Sequence, residues 1–149
     1  MDKNKREIRT QHYWICLQDE PLCLENIERF VRDESCGSVL SFSGRTRDVF
    51  EGKRVLQLSY ECYASMALKE MEQIALSIIK AYGPIRIAIV HRLGDVGVGE
   101  ISVVISVATP HRATSYDASR YAIDTLKAQV PIFKKEIYEG GSTWKANQH

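Results

Sequence analysis

Residues 85–108, IRIAIVHRLGDVGVGEISVVISVA, constrain the fold most strongly, because two apolar runs flank one glycine-rich stretch. In the second run, Ile101, Val103, Ile105 and Val107 occupy every other position, which is the spacing of a strand with one buried face. Valines interrupt the glycines and a strand pattern follows them, which argues against a phosphate-binding loop. The sequence therefore predicts a β-hairpin, with two antiparallel strands around a glycine-rich turn.

Further strand and helix patterns flank this hairpin on both sides. Strands are predicted at 12–18, 37–44, 54–62, 132–138 and 142–145, and helices within 21–37, around 71–82 and over about 114–128. Within 54–62, alternate residues from Leu56 to Cys62 are expected to face the core. Because strands outnumber helices and hairpins favour antiparallel pairing, we predict an α+β fold with a largely antiparallel sheet and three main helices.

Length and composition predict one domain over residues 1–149, with a flexible N-terminal segment over 1–11. The chain has 44% hydrophobic and 26% charged residues, close to the average for globular proteins. With 20 Lys and Arg against 19 Asp and Glu, its net charge of +1 provides no overall field for nucleic acid or a membrane, so neither partner is expected. The lack of a signal-peptide pattern and of an apolar run of about 20 residues predicts a cytosolic location.

The four cysteines do not predict a disulfide framework or a metal site. Cys16, Cys23, Cys36 and Cys62 form no CxxC pair, and no histidine lies near them at the spacing of metal ligands. We interpret them as reduced thiols in a reducing compartment, and we expect neither a metal nor a cofactor.

Two clusters of basic residues follow predicted strands. Arg45 and Arg47 come after the strand that contains Phe42, and guanidinium groups bind phosphate oxygens in a bidentate way. His111 and Arg112 precede the third helix, whose free N–H groups favour an anion. Each pattern is also compatible with a simple structural role, namely a solvated loop for the arginines and local capping for the histidine.

The third cluster is the segment KAQVPIFKKE at 127–136. Lys127 falls in the last helical turn, where the helix dipole alone accounts for a cation. Lys134 and Lys135 point to opposite faces of a strand, so one of them must lie beside an apolar row. Burial there strengthens binding of a carboxylate or phosphate and lowers the pKa of the lysine. These residues by themselves predict a composite site for a phosphorylated ligand.

Five motifs carry a resemblance to a known family. FSGRTRD, YECY, VHRLGDVGVGE, TPHRATSYDA and DTLKAQVPIFKKEIYEGGSTW, within about 36–144, resemble the large, catalytic subunit of molybdopterin synthase, especially its eukaryotic form. The resemblance implies an α/β-hammerhead fold and a sulfur transferase of molybdenum cofactor biosynthesis. In this family, the C-terminal Gly-Gly thiocarboxylate of a small ubiquitin-like subunit supplies sulfur to cyclic pyranopterin monophosphate. The resemblance also implies a homodimer of large subunits within a heterotetramer.

The resemblance further implies roles for individual residues. Lys127 and Lys134 would lie at the reaction centre, dried by the nearby proline and by Phe133. Substrate binding is implied for seven residues, namely Phe42, Arg45, Arg47, His111, Arg112, Lys135 and Glu136. Family members can also supply a basic tail residue across the dimer, for which this chain offers Lys145. The alternative is a non-catalytic module that binds a phosphorylated metabolite or an acidic partner tail, and a Lys127→Ala variant would separate the two functions.

Overall fold

The computed structural model describes residues 6–83 and 85–146, which form two five-stranded sheets and three helices. The strands are β1 (Arg6–Arg9), β2 (Tyr13–Gln18), β3 (Ser38–Arg45), β4 (Val49–Phe50), β5 (Lys53–Cys62), β6 (Arg86–Arg92), β7 (Gly94–Gly97), β8 (Ile101–Thr109), β9 (Ile132–Tyr138) and β10 (Gly141–Ala146). The helices are α1 (Leu24–Val31), α2 (Ala64–Tyr82) and α3 (Arg112–Gln129). The predicted α+β class and the three helices are confirmed.

The first sheet has the strand order β1-β2-β6-β8-β3 and carries helices on both faces. Only the β2–β6 pair is parallel among its described pairs, because the chain crosses through other elements between these strands. Successive residues of β2 face opposite ways, so Trp14 and Cys16 pack with α1 while Ile15 and Leu17 pack with α2. An apolar run that is buried on both faces explains why this strand does not alternate with polar residues.

The second sheet has the order β10-β9-β5-β4, with β7 also paired to β5. Residues Glu51 and Gly52 join β4 to β5, and both have a positive φ, as a tight hairpin turn requires. Antiparallel pairing of β6 with β8 confirms the hairpin that the sequence predicts. The glycine-rich stretch between them is more than a turn, because β7 pairs with β5 and thereby links the two sheets.

The prediction of a flexible segment over 1–11 is wrong for Arg6–Arg9, which form β1. Its backbone pairs with β2, and side chains reinforce the pairing. Trp14 donates a hydrogen bond from Nε1 to the Glu7 carboxylate at 3.0 Å, and the Arg9 guanidinium lies 4.0 Å from the Trp14 ring centroid. Residues 1–5 lie outside the described residues.

The expected inward position of Leu56 is also wrong. The pairing of β5 with β9 shifts register between Val55 and Gln57, as a β-bulge does. One extra residue reverses the alternation at that point, so Leu56 is 49% exposed while Val55, Leu58 and Tyr60 are buried. The bulge is a property of strand pairing and leaves no trace in the apolar pattern.

One hydrophobic core joins both sheets to α2 and α3. It contains Leu17 and Ile87 from the first sheet, Met71 from α2, Leu126 from α3 and Tyr138 from the second sheet. No helix within residues 6–83 and 85–146 is long and apolar enough to cross a membrane. The end of α3 and the facing edges of the two sheets enclose a cavity, which is the candidate site.

Candidate active site

A cavity of about 350 Å³ lies between the two sheets and contains both lysines of the predicted reaction centre. Its lining comes from β3, the segment after β3, β4, β5, β8, β9 and the end of α3. The lining residues are Phe42, Ser43, Gly44, Arg45, Arg47, Phe50, Val55, Leu58, Tyr60, Ser102, Val103, Lys127, Lys134 and Glu136. We call this space the lysine cavity.

The end of α3 and the start of β9 bring Lys127 and Lys134 together. Lys127 lies in the last turn of α3, and the Val130 N–H closes that turn on the Leu126 carbonyl. Pro131 disfavours further helix, and β9 begins at the next residue. Two lysines that are seven positions apart in the sequence therefore enter one cavity from different elements.

Strand pairing decides which lysine of β9 faces the cavity. Lys134 lies on the face of Ile132, and Lys135 lies on the opposite face. In the sheet register, Lys134 pairs directly with Tyr60 on β5 and with Lys145 on β10. Directly opposed residues share a face, so Tyr60, Lys134 and Lys145 form one row across three strands.

Glu136 is the carboxylate of the lysine cavity and is only 2% exposed. Its Oε1 lies 2.6 Å from the Lys145 Nζ and accepts a hydrogen bond from the Tyr138 hydroxyl, while Oε2 lies 3.9 Å from the Lys134 Nζ. Burial alone would raise the pKa of Glu136, but the bonds from Lys145 and Tyr138 and the charge of Lys134 outweigh it and lower the pKa. Glu136 is therefore a fixed anion that balances two lysines.

The two cavity lysines differ in their electrostatic surroundings. Burial, with a smaller effect from the charge of Lys134, lowers the pKa of Lys127 from 10.5 to about 8. Burial also lowers the pKa of Lys134, but the Glu136 carboxylate opposes that change. Glu136 thus favours the charged form of Lys134, whereas Lys127, with a pKa of about 8, can exchange its proton close to neutral pH.

The end of β3 contributes the arginines. The Arg45 Nη1 donates to the Gly99 carbonyl at 3.1 Å, and the Arg47 guanidinium lies 5.2 Å from the Phe50 ring centroid. A bulge between Gly44 and Arg45 directs this part of the chain around the cavity. Phe42 is 39% exposed and lines the cavity mouth.

His111 and Arg112 do not lie in the lysine cavity of the same chain. They line a separate open cavity, next to residues 37–39. In the β3–β8 pair, Ser38 is opposite Thr109 at one end, while Arg45 is opposite Ile101 at the other. Ser38 and Arg45 are seven steps apart along β3, which corresponds to about 20 Å. The structure thus brings six of the nine predicted site residues together and leaves three outside the cavity, namely His111, Arg112 and Lys135.

Lys135 and Phe133 lie on the outer face of β9. The Lys135 Nζ is 5.7 Å from the Trp144 ring centroid, and the Phe133 ring packs edge-on against Tyr63 at 5.6 Å. Phe133 is 36% exposed. The prediction that Phe133 dries the reaction centre is wrong, because strand alternation turns its ring away from Lys134.

Two further aromatic residues line the cavity, although the sequence predicts no role at the site for either of them. Phe50 belongs to β4, in a segment that the sequence predicts as a loop, and for Tyr60 the sequence predicts only a buried position on a strand. Lys145, considered for a contact across a dimer, turns back onto its own chain, where its Nζ also lies 4.1 Å from the Phe50 ring centroid. The apolar pair VF followed by EG was the available signal for the β4 hairpin.

The cavity can bind an anion and transfer a proton. Four cationic side chains line a partly apolar space in which charges interact more strongly than in water, namely Arg45, Arg47, Lys127 and Lys134. Among the described residues, no group of three or more His, Cys, Asp or Glu side chains is placed to hold a metal ion. The lysines and arginines are thus the charged groups available for chemistry.

Comparison with known proteins identifies the family. The family model described as MoaE protein matches residues 17–129. The chain belongs to the MoaE protein family. A relative from Homo sapiens named molybdopterin synthase catalytic subunit is 48% identical over 129 residues, covering 87% of this chain and 69% of that protein. The chain also matches a relative of the same name from Drosophila erecta at 47% identity, of whose length it spans 37%.

Solved structures share the fold of this MoaE family member. Molybdopterin synthase from Staphylococcus aureus superposes with a TM-score of 0.85 at 37% identity, covering 93% of this chain and 98% of that chain. The protein-protein complex of subunits 1 and 2 of the molybdopterin-converting factor from Helicobacter pylori gives a TM-score of 0.65 at 21% identity, covering 78% of this chain and 77% of that chain. The second likeness shows the fold alone.

These findings confirm three predictions from the sequence. The resemblance to molybdopterin synthase catalytic subunits is confirmed, and so is the fold that this MoaE family member shares with them. The prediction of an enzyme of molybdenum cofactor biosynthesis is confirmed as well, which favours it over a non-catalytic binding module.

Proposed function

We propose that this chain twice transfers sulfur from the C-terminal thiocarboxylate of a small ubiquitin-like partner to cyclic pyranopterin monophosphate, which yields the dithiolene of molybdopterin. The observation that carries the proposal is the convergence of Lys127 and Lys134, with Glu136, in one cavity that is open at its mouth. A thiocarboxylate and a phosphate are both anions, and the cavity supplies both lysines and arginines to bind them. We further propose that the reaction takes place in the cytosol, in line with cysteines such as Cys23 and Cys62 that form no disulfide.

The two lysines take different parts in the proposed reaction. Lys134, held as a cation by Glu136, binds the thiocarboxylate and stabilises negative charge on its acyl oxygen. The sulfur bonds to a carbon of the pterin substrate as a carbon–oxygen bond at that carbon breaks and the oxygen leaves as phosphate oxygen or water. A second water then replaces sulfur at the acyl carbon. The carbon–sulfur bond to the partner breaks, and the partner tail ends as a carboxylate. Lys127, whose pKa is lowered to about 8, accepts the proton of that water.

The arginines at the end of β3 fit the phosphate of the substrate. Arg47 lies close enough to Lys134 for its charge to lower the pKa of that lysine. A dianionic phosphate between these groups would offset their mutual repulsion. Phe42 and Phe50 provide apolar surfaces at the same cavity, suited to a flat pterin ring.

A partner subunit and a second copy of the chain complete the proposed assembly. The Helicobacter pylori protein of the same fold was solved as a complex of two subunits, which is consistent with a small partner here. His111 and Arg112 line a separate cavity near the Ser38–Thr109 end of the β3–β8 pair, and neither lines the lysine cavity of its own chain, which favours a role at the site of another copy. We therefore propose a homodimer in which each site receives His111 and Arg112 from the other chain.

A reconstituted reaction tests the sulfur transfer. The purified chain is mixed with the thiocarboxylated partner and cyclic pyranopterin monophosphate, and mass spectrometry follows sulfur into the pterin. We expect Lys127→Ala to lower the rate by about 100-fold or more while the partner complex still forms. Lys69→Ala, on the exposed face of α2, is the control and should react like the wild type. A complex that forms without any sulfur transfer in the wild type would refute the proposal.

Mixing two inactive variants tests the shared site. In a homodimer with sites built from both chains, Lys127→Ala paired with Arg112→Ala leaves one site intact and one doubly altered. Random exchange of subunits should then restore about a quarter of the wild-type activity. Sites contained within one chain would stay inactive after mixing.

A further inference from the structure

His91 on β6 is a fully buried titratable residue that the proposed mechanism does not use. Its Nδ1 lies 2.7 Å from the Arg92 carbonyl oxygen. A carbonyl only accepts hydrogen bonds, so Nδ1 carries the hydrogen. Burial, together with the charge of Lys127, lowers the pKa of His91 to about 3. The imidazole is therefore neutral at any working pH, and its Nε2 carries a lone pair.

The position of His91 is directly behind the lysine cavity. Its cross-strand neighbour on β8 is Val103, and its ring meets the Tyr60 ring at 4.9 Å and 71°. Val103 and Tyr60 both line the cavity, as Lys127 does. Two independent contacts therefore fix the imidazole against the cavity wall, within range of the Lys127 charge.

We propose that His91 is a positioning residue, whose neutral imidazole presents Nε2 to the Lys127 amine as a buried and uncharged hydrogen-bond acceptor. This proposal rests on the proposed function, in which Lys127 accepts the proton of water, and it names a residue that positions Lys127 for that step. An apolar side chain at this position would give the ammonium form of Lys127 a worse environment. A permanently charged side chain would repel it or pair with it. A neutral acceptor orients the amine and leaves its proton free to move.

Lys127 titrates under the influence of several other groups. Charged or titratable side chains that share its cavity come from β3 and its following segment, β5 and β9, namely Arg45, Arg47, Tyr60, Lys134 and Glu136. None of these belongs to β6. A substitution at His91 therefore changes one neighbour of Lys127 and leaves the charges on the other elements in place.

The test measures the titration of Lys127 in the isolated full-length chain. Acetic anhydride acylates neutral amines, so the extent of Lys127 acylation against pH, read by mass spectrometry, gives its apparent pKa. His91→Phe keeps the ring contact with Tyr60 and removes the acceptor, and His91→Gln restores an acceptor without the ring. Val90→Ala is the matched control, because Val90 is a buried β6 residue that packs on the α1 side.

We expect His91→Phe to lower the pKa of Lys127 by about one pH unit, because the ammonium form loses a hydrogen-bond partner. His91→Gln and Val90→Ala should titrate like the wild type. An unchanged Lys127 titration in His91→Phe, or an equal change in Val90→Ala, would overturn the inference. If circular dichroism shows that His91→Phe does not fold, the test uses His91→Gln instead. A Lys127 pKa in His91→Gln that differs from the wild-type value also overturns the inference.

Sulfur transfer provides the second readout and separates the two proposals. We expect His91→Phe to lower kcat about tenfold or more with little change in the KM for the pterin, since substrate contacts are intact. If His91→Phe lowers the pKa of Lys127 but the wild-type chain transfers no sulfur, the proposed function is refuted and the pairing of His91 with Lys127 still holds. Normal kcat in His91→Phe would overturn the positioning role.

Discussion

At the scale of single residues, the lysine cavity shows a conflict between folding and chemistry. Burying the amine of Lys127 costs stability, because the ammonium form loses hydration and faces the charge of Lys134. The same burial yields an amine that exchanges its proton near neutral pH. Reactive groups are commonly found where burial and neighbouring charges displace a pKa in this way.

Lys127→Met should therefore stabilise the fold while it removes activity. Between pH 8 and 10.5 the unfolded chain binds more protons at Lys127 than the folded chain does, so stability rises with pH across that window. The cost of the buried ammonium is fully present below pH 8. We expect the variant to exceed the wild type in free energy of unfolding by up to about 3 kcal/mol at pH 7.

Urea unfolding of both proteins at several pH values measures this difference. It should shrink as the pH rises from 8 towards 10.5, where the wild-type lysine is neutral in both states. Lys69→Met, at an exposed site on α2, is the control and should show no such trend. A Lys127→Met protein that is less stable than the wild type at pH 7 would contradict the argument.

At the scale of elements, Glu136 joins β9 to β10. Glu136→Gln keeps the shape of the side chain but removes the charge that balances Lys134 and Lys145. We expect a loss of roughly 1–3 kcal/mol in the free energy of unfolding, because charged hydrogen bonds are replaced by weaker ones. Without the carboxylate, the pKa of Lys134 should fall further and sulfur transfer should slow.

Urea unfolding and the acylation profile of Lys134 measure these two effects. Glu139→Gln is the matched control, because Glu139 is an exposed residue just after β9. An unchanged Lys134 titration in Glu136→Gln would show that the carboxylate does not hold this lysine.

The β3–β8 contact depends on a residue without a side chain. A Cβ at Gly44 would lie 2.8 Å from the Val103 Cγ1, which is closer than such atoms approach. Gly44→Ala should thus push Val103 and the bulge of β3 apart, lowering both stability and sulfur transfer, by about 1–3 kcal/mol in the free energy of unfolding. Removing the clashing methyl in Gly44→Ala/Val103→Ala should restore part of both.

Thermal unfolding and the reconstituted assay compare the two variants with Val103→Ala alone. Partial recovery in the double variant identifies the Gly44–Val103 contact as the cause. A double variant that is worse by the sum of both single effects would show that the residues do not interact.

At the scale of the whole molecule, the two sheets share one core. Residues of β2, α2, α3 and β9 belong to the same buried cluster, and β7 adds backbone pairing between the sheets. We expect the chain to unfold in a single cooperative transition, as domains under about 150 residues usually do. Differential scanning calorimetry should give equal calorimetric and van't Hoff enthalpies, whereas two resolved transitions would indicate two independent units.

Much of the fold follows from local patterns. Periods of two and of about 3.6 residues predict most strands and all three helices, since alternation and helical spacing are set within a few residues. Pro131 marks the end of α3 correctly for the same reason. The segment KAQVPIFKKE itself indicates that a lysine lies beside an apolar row, and its residues are part of the motifs that resemble the family.

Other features depend on pairing between distant segments, which no local pattern records. The bulge that exposes Leu56, the pairing of β1 with β2 and the second role of the glycine-rich stretch as β7 are of this kind. The same holds for the register that places Lys145 beside Lys134. Each depends on which backbone groups find partners across a sheet.

The sequence by itself determined the element types, the family and the residues that can bind anions. Only the tertiary structure decided which of those residues meet. It brings Lys127, Lys134 and Glu136 into one cavity, turns Lys135 outward and sets His111 and Arg112 at the far end of the β3–β8 pair. The physical reason is that residue chemistry and periodicity are local, whereas a site is made by strand register and helix packing between segments far apart in the chain.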